Sequence, residues 1–375
     1  MKSDLLYPRL KPAHSVLYLK NRIRLGQGPD YAVEVDDPDG RYAVLLPLLD
    51  GQHSMADIIV AVRPTLSEDE VKQAVKALHE SGYVDEAPPD LTTVFSTPEV
   101  DRYSVNMAFY ELVAGSESAI KWQSLLKGTH VLILGLGGIG SNVAVAMAEL
   151  GVGTIVGLDY DSVELRNLNR QILYSTPYVG ERKVQTANRF IHAFNPNVHF
   201  VAVERRIASE ADVRQIINDY AIDFVFCLAD KPNGHIDFWV NIACQRVGIP
   251  YVGGSISGPI GTAYGVVPGQ SACYQCEVDA DLENHPELVE ELDYIRQHDV
   301  QSPNSALGPA CMFLAYFLSY EFLRYRLGLA PMLTVNQLFQ VNFVTFSQIF
   351  HAMVRRPNCP ICSNTSSSAL SEDRM

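Results

Sequence analysis

The sequence predicts an α/β protein whose main domain is a doubly wound, mostly parallel sheet, preceded by a small α+β domain. Two observations support this class. From His130 to about Gly265, apolar strand-like segments alternate with helical patterns, which is typical of parallel strands joined by right-handed crossovers. Residues 1–90 instead combine alternating strand-like segments with two short amphipathic helical patterns.

The expected strands of the main domain are short apolar runs. They are HVLILG, GTIVGLD, VHFVAVE, DFVFCLAD and PYVGGS, which begin at residues 130, 153, 198, 223 and 250. After Cys276 comes an acidic, helix-prone stretch, followed by an apolar run from Ser305 to Leu323 and more strand-like sequence. The apolar run contains Gly308, Pro309 and Glu321, so it predicts a core or interface helix rather than a membrane span.

Residues 1–90 have the pattern of a winged-helix-like domain. Strands are expected in YAVEVDD and RYAVLLPLL, and helices in MADIIVAVRP and SEDEVKQAVKALHESGYV, the second with Ser67 as its N-cap and Glu70 completing a capping box. These residues hold 10 Lys and Arg against 15 Asp and Glu. A DNA-reading helix would be basic, so the balance favours peptide binding. The stretch EAPPDLTTVFSTPEVDRYS predicts a linker over residues 91–105, followed by the main domain over 106–365 and a disordered tail over 366–375.

The overall charge limits the classes of partner. A formal net charge of −14 disfavours binding to nucleic acid or to anionic membranes. The N-terminus, MKSDLLYPRLKPAHS, carries charges and prolines where a signal peptide has its apolar core. We therefore expect a cytoplasmic protein with no membrane partner.

The main domain opens with a glycine-rich turn between a strand and a helix. The glycines of GLGGIG are Gly135, Gly137, Gly138 and Gly140. This G-x-G-x-x-G pattern is typical of a Rossmann-like fold, where backbone N–H groups and a helix N-terminus bind phosphates. Asp159 ends the next strand, where a carboxylate reaches a ribose hydroxyl. An NAD site or glycines that only permit tight packing would explain these residues equally well.

The residues after this acid favour a nucleotidyl-transfer site. Arg170 in NLNRQ and Lys183 in VGERKV are two cations that could stabilise charge on phosphoryl oxygens and departing pyrophosphate. Asp230 follows an apolar strand, at the carboxyl edge of the sheet, where it could hold Mg²⁺. A nicotinamide site has no use for such cations, although each charge taken alone could be an ordinary ion pair.

These motifs, GLGGIG, LDYDSVELRNLNRQ, VGERKV and LAD, resemble the ThiF/MoeB/HesA family, the bacterial relatives of ubiquitin-activating enzymes, over roughly residues 100–362. Members adenylate a carboxylate with Mg-ATP and are usually homodimers. The resemblance implies that the glycine turn and the two acids of LDYD, Asp159 and Asp161, bind ATP, with Asp159 on the ribose. It further implies that Asn167, Arg170, Gln171 and Lys183 contact the triphosphate and that Asp230 holds magnesium.

One position departs from the family pattern. The family often opens with R-Y-x-R-Q, whose second arginine reaches into the partner subunit's ATP site. Here the sequence is DRYSVN, so Arg102 is kept and Val105 replaces the second arginine. Val105 therefore puts in question either the contribution of a second subunit to the ATP site or the full adenylation chemistry.

Four of the seven cysteines form two C-x-x-C pairs. CYQC contains Cys273 and Cys276, and CPIC contains Cys359 and Cys362. A redox pair is possible for either motif alone, but two motifs favour a structural Cys₄ Zn²⁺ site. Cys227, Cys244 and Cys311 lie in apolar segments and are expected to be buried, which leaves no exposed thiol for a thioester intermediate.

The small N-terminal domain resembles the leader-binding element of the family's peptide-maturing members, such as the adenylating enzymes for microcin C and pantocin A. This resemblance implies ATP-dependent adenylation of a carboxylate in a ribosomally made precursor peptide, with glutamate side chains as targets in the pantocin A case. A sulfur-carrier adenylyltransferase and a non-catalytic leader-peptide-binding partner are the alternatives. His285 and His298, in the acidic stretch, are candidate general bases or merely solvated histidines.

Overall fold

The computed structural model describes residues 5–26, 32–87, 91–115, 118–298 and 305–363. The chain divides into two units, residues 1–125 and residues 126–375. The expected tail at 366–375 lies outside the described residues.

The first unit begins with short antiparallel strands and two capped helices. In chain order these are β1 (Pro8–Leu10), β2 (Val16–Tyr18), β3 (Arg22–Leu25), β4 (Val33–Asp36), α1 (Met55–Val62), α2 (Glu68–Glu80) and β5 (Val84–Glu86). Strand β1 pairs with β5, and β2, β3 and β4 form a separate sheet. The predicted capping box is confirmed, because the Ser67 hydroxyl accepts from the Glu70 N–H and the Glu70 carboxylate accepts from the Ser67 N–H.

The strand predicted in RYAVLLPLL is wrong. Residues 41–45 form turns, and Leu46–Leu48 is a single 3₁₀ turn. The Asp37 carboxylate accepts from the backbone N–H groups of Tyr42 and Ala43, both at 3.0 Å, and this holds the chain in a bend instead of an extended strand. Leu45 and Leu49 are still buried, so the apolar residues of the segment reach the core from a turn.

Residues 91–105, expected to be a linker, are largely helical. They contain α3 (Thr97–Arg102), which is followed by α4 (Ser104–Val113) and by α5 (Ala119–Lys127), the helix that crosses the boundary between the units. Ser96 and Glu99 form a capping box at the start of α3. Arg9 in β1 pairs with Asp85 in β5 and with Glu111 in α4, at 3.1 and 3.0 Å, so this helical segment is anchored to the strands of the first unit.

The second unit contains an eight-stranded sheet of order β13-β12-β11-β10-β9-β6-β7-β8. Its strands are β6 (His130–Leu134), β7 (Thr154–Leu158), β8 (His199–Val203), β9 (Phe224–Cys227), β10 (Tyr251–Ser257), β11 (Ile260–Val266), β12 (Gln337–Asn342) and β13 (Gln348–Ala352). Strands β6 to β10 are mutually parallel, and β11, β12 and β13 extend the sheet antiparallel. The predicted doubly wound sheet is confirmed, and the direction of winding reverses between β6 and β9.

Helices connect these strands and cover the sheet. They are α6 (Gly138–Leu150), α7 (Lys183–Phe194), α8 (Glu210–Asp219), α9 (Ile236–Val247), α10 (Tyr274–Asn284), α11 (Leu288–His298) and α12 (Gly308–Leu327). Helix α6 is buried on nearly all sides because α12, the predicted apolar helix, packs against it. Among the described residues, no helix combines the length and apolar character needed to cross a lipid bilayer.

Candidate nucleotide site and cysteine cluster

The glycine turn lies between β6 and α6, at the switch point where ligands bind in open α/β sheets. Gly135 has φ +89°, and a Cβ there would lie 2.8 Å from the backbone of Ala229. A Cβ on Gly140 would lie 1.9 Å from the carbonyl oxygen of Gly135. Gly137 has no such neighbour within 4 Å. The backbone therefore packs closely around Gly135 and Gly140, whereas the space at Gly137 is open. A phosphate could approach the N-terminus of α6 through this space.

Asp159 follows β7 and is nearly buried beside this turn. Its Oδ2 accepts from the Leu136 N–H at 2.9 Å, and its Oδ1 accepts from the Asp161 N–H at 2.8 Å. The carboxylate thus links the glycine turn to the segment after β7. A ribose hydroxyl donating to the same carboxylate would bind between these two segments.

Lys183 is the first residue of α7, and its side chain points toward the two acids of LDYD. Its Nζ lies 3.0 Å from Asp161 Oδ2 and 3.6 Å from Asp159 Oδ2. The Lys183 side chain is only 7% exposed, whereas that of Asp161 is 55% exposed. The structure therefore brings together three predicted site residues and holds the cation near the glycine turn.

The NLNRQ segment forms a turn beside the start of α6. Asn167 uses its carboxamide oxygen to accept from the Glu164 N–H at 2.9 Å, so this oxygen stabilises the turn. The Arg170 side chain runs along Gly138, since a Cβ on that glycine would lie 3.2 Å from Arg170 Cδ. Its Nε and the Gln171 Oε1 are buried and have no hydrogen-bond partner among the described residues. The Arg170 Nε–H and the Gln171 Oε1 could therefore bind a ligand after a movement of these two side chains.

Asp230 is exposed and lies beyond the end of β9. It lines a small cleft together with Gly135, Asp159 and Asp161, which confirms that the carboxyl ends of the strands meet there. Carboxylate oxygens are the protein ligands that Mg²⁺ prefers, and Mg²⁺ is usually held by one or two carboxylates plus phosphate oxygens. The donor set therefore suits a magnesium–nucleotide complex.

Three residues of this region were missed by the sequence analysis. The Tyr174 hydroxyl donates to the Leu136 carbonyl at 2.9 Å and so stabilises the glycine turn. Lys231 lines the cleft beside Asp230. Asn142 joins the start of α6 to the backbone of Arg170. Of the three, only Asn142 has a visible signal, a carboxamide in the mostly apolar helix GIGSNVAVAMAEL.

The other candidate residues have simpler surroundings. His285 follows α10 and lies 3.4 Å from the exposed Glu287 carboxylate. His298 ends α11, and its ring stacks on Tyr294 at a centroid distance of 4.2 Å. Arg102 and Val105 belong to the first unit, where Val105 is 77% exposed on α4. Neither histidine has surroundings that identify it as a base.

The two C-x-x-C pairs come together as one buried cluster. Among the described residues, Cys273, Cys276, Cys359 and Cys362 form a group whose sulfur atoms all lie within 4.8 Å of one another. The Sγ separations are 3.9 Å for Cys273–Cys276, 3.7 Å for Cys273–Cys359 and 3.5 Å for Cys276–Cys362. A tetrahedral Zn²⁺ with bonds of about 2.3 Å places its sulfur ligands about 3.8 Å apart. The cluster therefore fits zinc.

Neighbouring groups orient this cluster. The Asn241 Nδ2 donates to Cys273 Sγ at 3.7 Å, and its Oδ1 accepts from the Tyr251 hydroxyl and the Tyr274 N–H. The Arg356 N–H donates to Cys276 Sγ at 3.4 Å. Such N–H donors stabilise thiolates and fix the ligands of a metal site.

The remaining cysteines are buried, as predicted. Burial raises the pKa of the Cys227, Cys244 and Cys311 thiols, so these groups stay protonated and poorly nucleophilic. Among the described residues, no cysteine is exposed.

Two curated proteins are similar in sequence to about half of this chain. The chain is 31% identical over 188 residues to the "SAMP-activating enzyme E1" of Haloferax volcanii, which is 50% of this chain and 64% of that protein. It is 30% identical over 172 residues to the "Sulfur carrier protein ThiS adenylyltransferase" of Escherichia coli, which is 45% of this chain and 66% of that protein. The chain thus spans slightly under two thirds of the length of these curated relatives.

A solved structure resembles the whole fold. It is E. coli MccB with AMPCPP and MccA, with a TM-score of 0.71 and 21% identity over 95% of this chain and 99% of MccB. A second similar structure is that of the microcin C7 biosynthetic enzyme MccB in complex with N-formylated MccA. The ThiF family model matches residues 103–362. Because this match covers well over half of the chain, the protein belongs to the ThiF family.

Proposed function

We propose that the protein uses Mg-ATP to adenylate a carboxylate of a ribosomally made precursor peptide. The observation that carries adenylation is the meeting of the glycine turn, Asp159, Lys183 and Asp230 at the switch between β6 and β9. The names of the curated relatives, an E1 and an adenylyltransferase, support the same reaction.

The reaction consists of two displacements. An oxygen of the peptide carboxylate attacks the α-phosphorus of ATP, the bond to the bridging oxygen breaks, and pyrophosphate leaves with that electron pair. A nitrogen nucleophile then attacks the acyl carbon, loses its proton, and releases AMP. The overall change is one new amide-type bond and the conversion of ATP to AMP and pyrophosphate.

The residues of the cleft have separate roles in this step. Asp159 holds the ribose, and the glycine turn donates N–H groups to the phosphates. Lys183 and Arg170 stabilise negative charge on the phosphoryl oxygens, and such contacts are each worth on the order of 3 kcal/mol in the transition state. Asp230 would hold Mg²⁺, whose charge would neutralise the departing pyrophosphate. Asp161 keeps Lys183 in place by its 3.0 Å contact.

A peptide substrate is supported by the first unit. The likeness to MccB extends over 95% of this chain, so it includes strands and helices of both units, and MccB has been solved with the peptide MccA. The excess of acidic residues in the first 90 positions disfavours nucleic acid as the ligand. We propose that this unit binds the leader of the precursor, and that glutamate side chains, closed to rings with loss of water, are the targets.

Two further parts of the proposal concern the assembled protein. Zinc is proposed at the cluster of Cys273, Cys276, Cys359 and Cys362, where it would stabilise the fold without an open position for chemistry. A homodimer is proposed as the working form. With Val105 at the position of the family's second arginine, each site in such a dimer would rely on its own cations.

The test uses the full chain and short peptides encoded near its gene. Each peptide is incubated with enzyme and Mg-ATP, and the products are analysed by mass spectrometry for loss of water or gain of AMP, with AMP and pyrophosphate measured in parallel. We expect turnover with one precursor and none with the same peptide lacking its leader. Peptide-dependent release of ADP would contradict the mechanism, and equal turnover without the leader would contradict leader binding.

The second candidate is a sulfur-carrier adenylyltransferase, which the name of the E. coli relative favours. It predicts an acyl-adenylate on a carrier protein that ends in Gly-Gly, detectable in the same assay. A non-catalytic leader-binding partner is disfavoured, because Lys183, Arg170 and Asp230 are all present around the glycine turn and its acids.

A further inference from the structure

Asn142 connects two segments that contribute to the nucleotide site. It lies in the second turn of α6 and is only 2% exposed. Its Nδ2 donates to the Gly138 carbonyl at 2.7 Å and to the Arg170 carbonyl at 3.1 Å. One carboxamide therefore joins the first residue of the phosphate-facing helix to the backbone of a predicted catalytic cation.

The other hydrogen bonds of Arg170 within the described residues stay inside its own turn. Its N–H donates to the Asn167 carbonyl, and its guanidinium donates to the Arg166 carbonyl and the Asn169 side chain. These bonds keep the turn together but do not fix its position relative to α6. The bond from Asn142 supplies that connection.

Close packing makes the position of Arg170 sensitive to this bond. A Cβ on Gly138 would lie 2.7 Å from Cys311 Sγ and 3.2 Å from Arg170 Cδ. A Cβ on Gly308 would lie 2.6 Å from the Asn169 carbonyl oxygen. Helix α6 thus packs against the Arg170 side chain and α12 against the backbone of the turn, and a small displacement of the turn would move the guanidinium with it.

We propose that Asn142 is a positioning residue, which places Arg170 for the transition state of adenylation. This inference rests on the proposed function, since it assigns Arg170 to the reacting phosphate. Asn142 does not contact the ligand in this scheme. It acts through the backbone of Arg170.

The chain offers a matched control in a second buried carboxamide that bonds to α6. Asn195 is 1% exposed, and its Nδ2 donates to the Ala148 carbonyl at 2.8 Å, near the C-terminal end of α6. Asn195→Ala, at the C-cap of α7, removes a buried carboxamide that donates to a carbonyl of α6, as Asn142→Ala does, but at the other end of α6 from the site. Both variants are expected to lower the melting temperature. Only Asn142→Ala should lower kcat, on the order of 10- to 100-fold, with the KM for ATP changed less than about threefold.

Two further measurements separate positioning from general stability. In an Arg170→Ala background, Asn142→Ala should change kcat less than about twofold, because the group that it positions is already absent. Hydrogen exchange of the amides in residues 166–171 should be faster in Asn142→Ala and unchanged in Asn195→Ala. If Asn142→Ala does not fold, Asn142→Ser keeps a donor and should give the same effects at smaller size.

The outcomes distinguish this inference from the proposed function. Equal kcat for the two alanine variants, additive effects with Arg170→Ala, or unchanged exchange in residues 166–171 would each overturn the role of Asn142. Absence of turnover by the unmodified protein with any precursor would instead count against the proposed function. In that case hydrogen exchange alone decides whether Asn142 holds the turn.

Discussion

The nucleotide cleft and the cysteine cluster are both built from residues far apart in sequence, yet they differ in access to solvent. In the cleft, Asp230 is exposed and the Asp161 side chain is 55% exposed. In the cluster, all four cysteines are at most 1% exposed. A site that exchanges ligands needs open positions, whereas a structural metal site is closed.

The polar groups of the two regions are also partnered differently. Lys183 contacts Asp159 and Asp161, carboxylates that an incoming nucleotide and metal could engage instead. The cysteine sulfurs contact one another and the N–H donors of Asn241 and Arg356, which are part of the fold. Substitutions in the cleft should therefore change turnover with little effect on stability, and substitutions in the cluster should do the reverse.

The largest effect is expected for the cations and the carboxylate of the cleft. Lys183→Ala and Asp230→Ala should each lower kcat by on the order of 10²- to 10³-fold, because each removes charge stabilisation from the transition state. Steady-state release of pyrophosphate measures this. Asp219→Ala removes an exposed carboxylate at the end of α8 and serves as the control. Near-normal turnover of Asp230→Ala would show that this residue does not hold the magnesium.

A second prediction concerns the cluster itself. The purified protein should contain one Zn²⁺ per chain, and Cys273→Ser should lose it together with much of the stability of the second unit, since the binding free energy of a structural zinc is also folding free energy. Elemental analysis and thermal unfolding measure the two effects. Cys244→Ala, which removes a buried thiol of α9, should keep its zinc. Four freely titratable thiols and little zinc in the unmodified protein would refute the site.

A smaller effect is expected at Asn241. Asn241→Ala removes the N–H donor to Cys273 and the acceptor for Tyr251, so zinc affinity should fall about 10- to 100-fold while four sulfur ligands remain. Competition with a chelator measures the affinity directly. An affinity equal to that of the unmodified protein would mean that the packing around the cysteines, rather than this donor, orients them.

The smallest effect is a dependence of stability on pH. Burial raises the pKa of Asp237, against the opposing hydrogen bonds from the Tyr264 hydroxyl and the Cys227 thiol. The folded state therefore binds this proton more tightly than the unfolded state, and the associated stability is lost as pH rises above the ordinary carboxyl value of about 4. Asp237→Asn should gain stability relative to the unmodified protein between pH 4 and pH 7, measured as melting temperature.

Asp212 provides a control of opposite sign for this measurement. A hydrogen bond from the Ala208 N–H lowers the pKa of Asp212, so its contribution to stability is present above the ordinary carboxyl pKa and is lost as pH falls. Asp212→Asn should therefore be less stable than the unmodified protein at pH 7, with a smaller difference at acidic pH. The same pH trend in both variants would contradict the assignment of Asp237.

Much of the second unit could be predicted because its signals are local. Buried parallel strands appear in a sequence as short apolar runs, and glycine turns follow them at fixed distances. The local sequence alone therefore identifies β6, β7 and the acid at Asp159. The strand expected in RYAVLLPLL failed because the decisive contact, Asp37 with the backbone of Tyr42, is a side-chain turn that a hydropathy pattern does not contain.

The site was predictable where a repeated motif favours one chemical use and unpredictable where a contact depends on the fold. Four cysteines in two C-x-x-C pairs predicted one cluster, and the structure brings them together. The bond from Tyr174 to the Leu136 carbonyl spans 38 residues and has no counterpart in the local pattern. Asn167 was assigned to the triphosphate, yet its carboxamide oxygen caps a turn, a use that the motif alone does not reveal.

The distance along the chain between the two C-x-x-C pairs has a consequence for synthesis. Cys273 and Cys359 are 86 residues apart, and α10, α11, α12, β12 and β13 all lie between them. A four-sulfur site cannot form on the ribosome until Cys362 has emerged, by which time the parallel strands are already complete. During synthesis of those 86 residues, Cys273 and Cys276 have only each other as neighbouring sulfur ligands, so a zinc ion at the cluster would be fully held only after the second pair has been made.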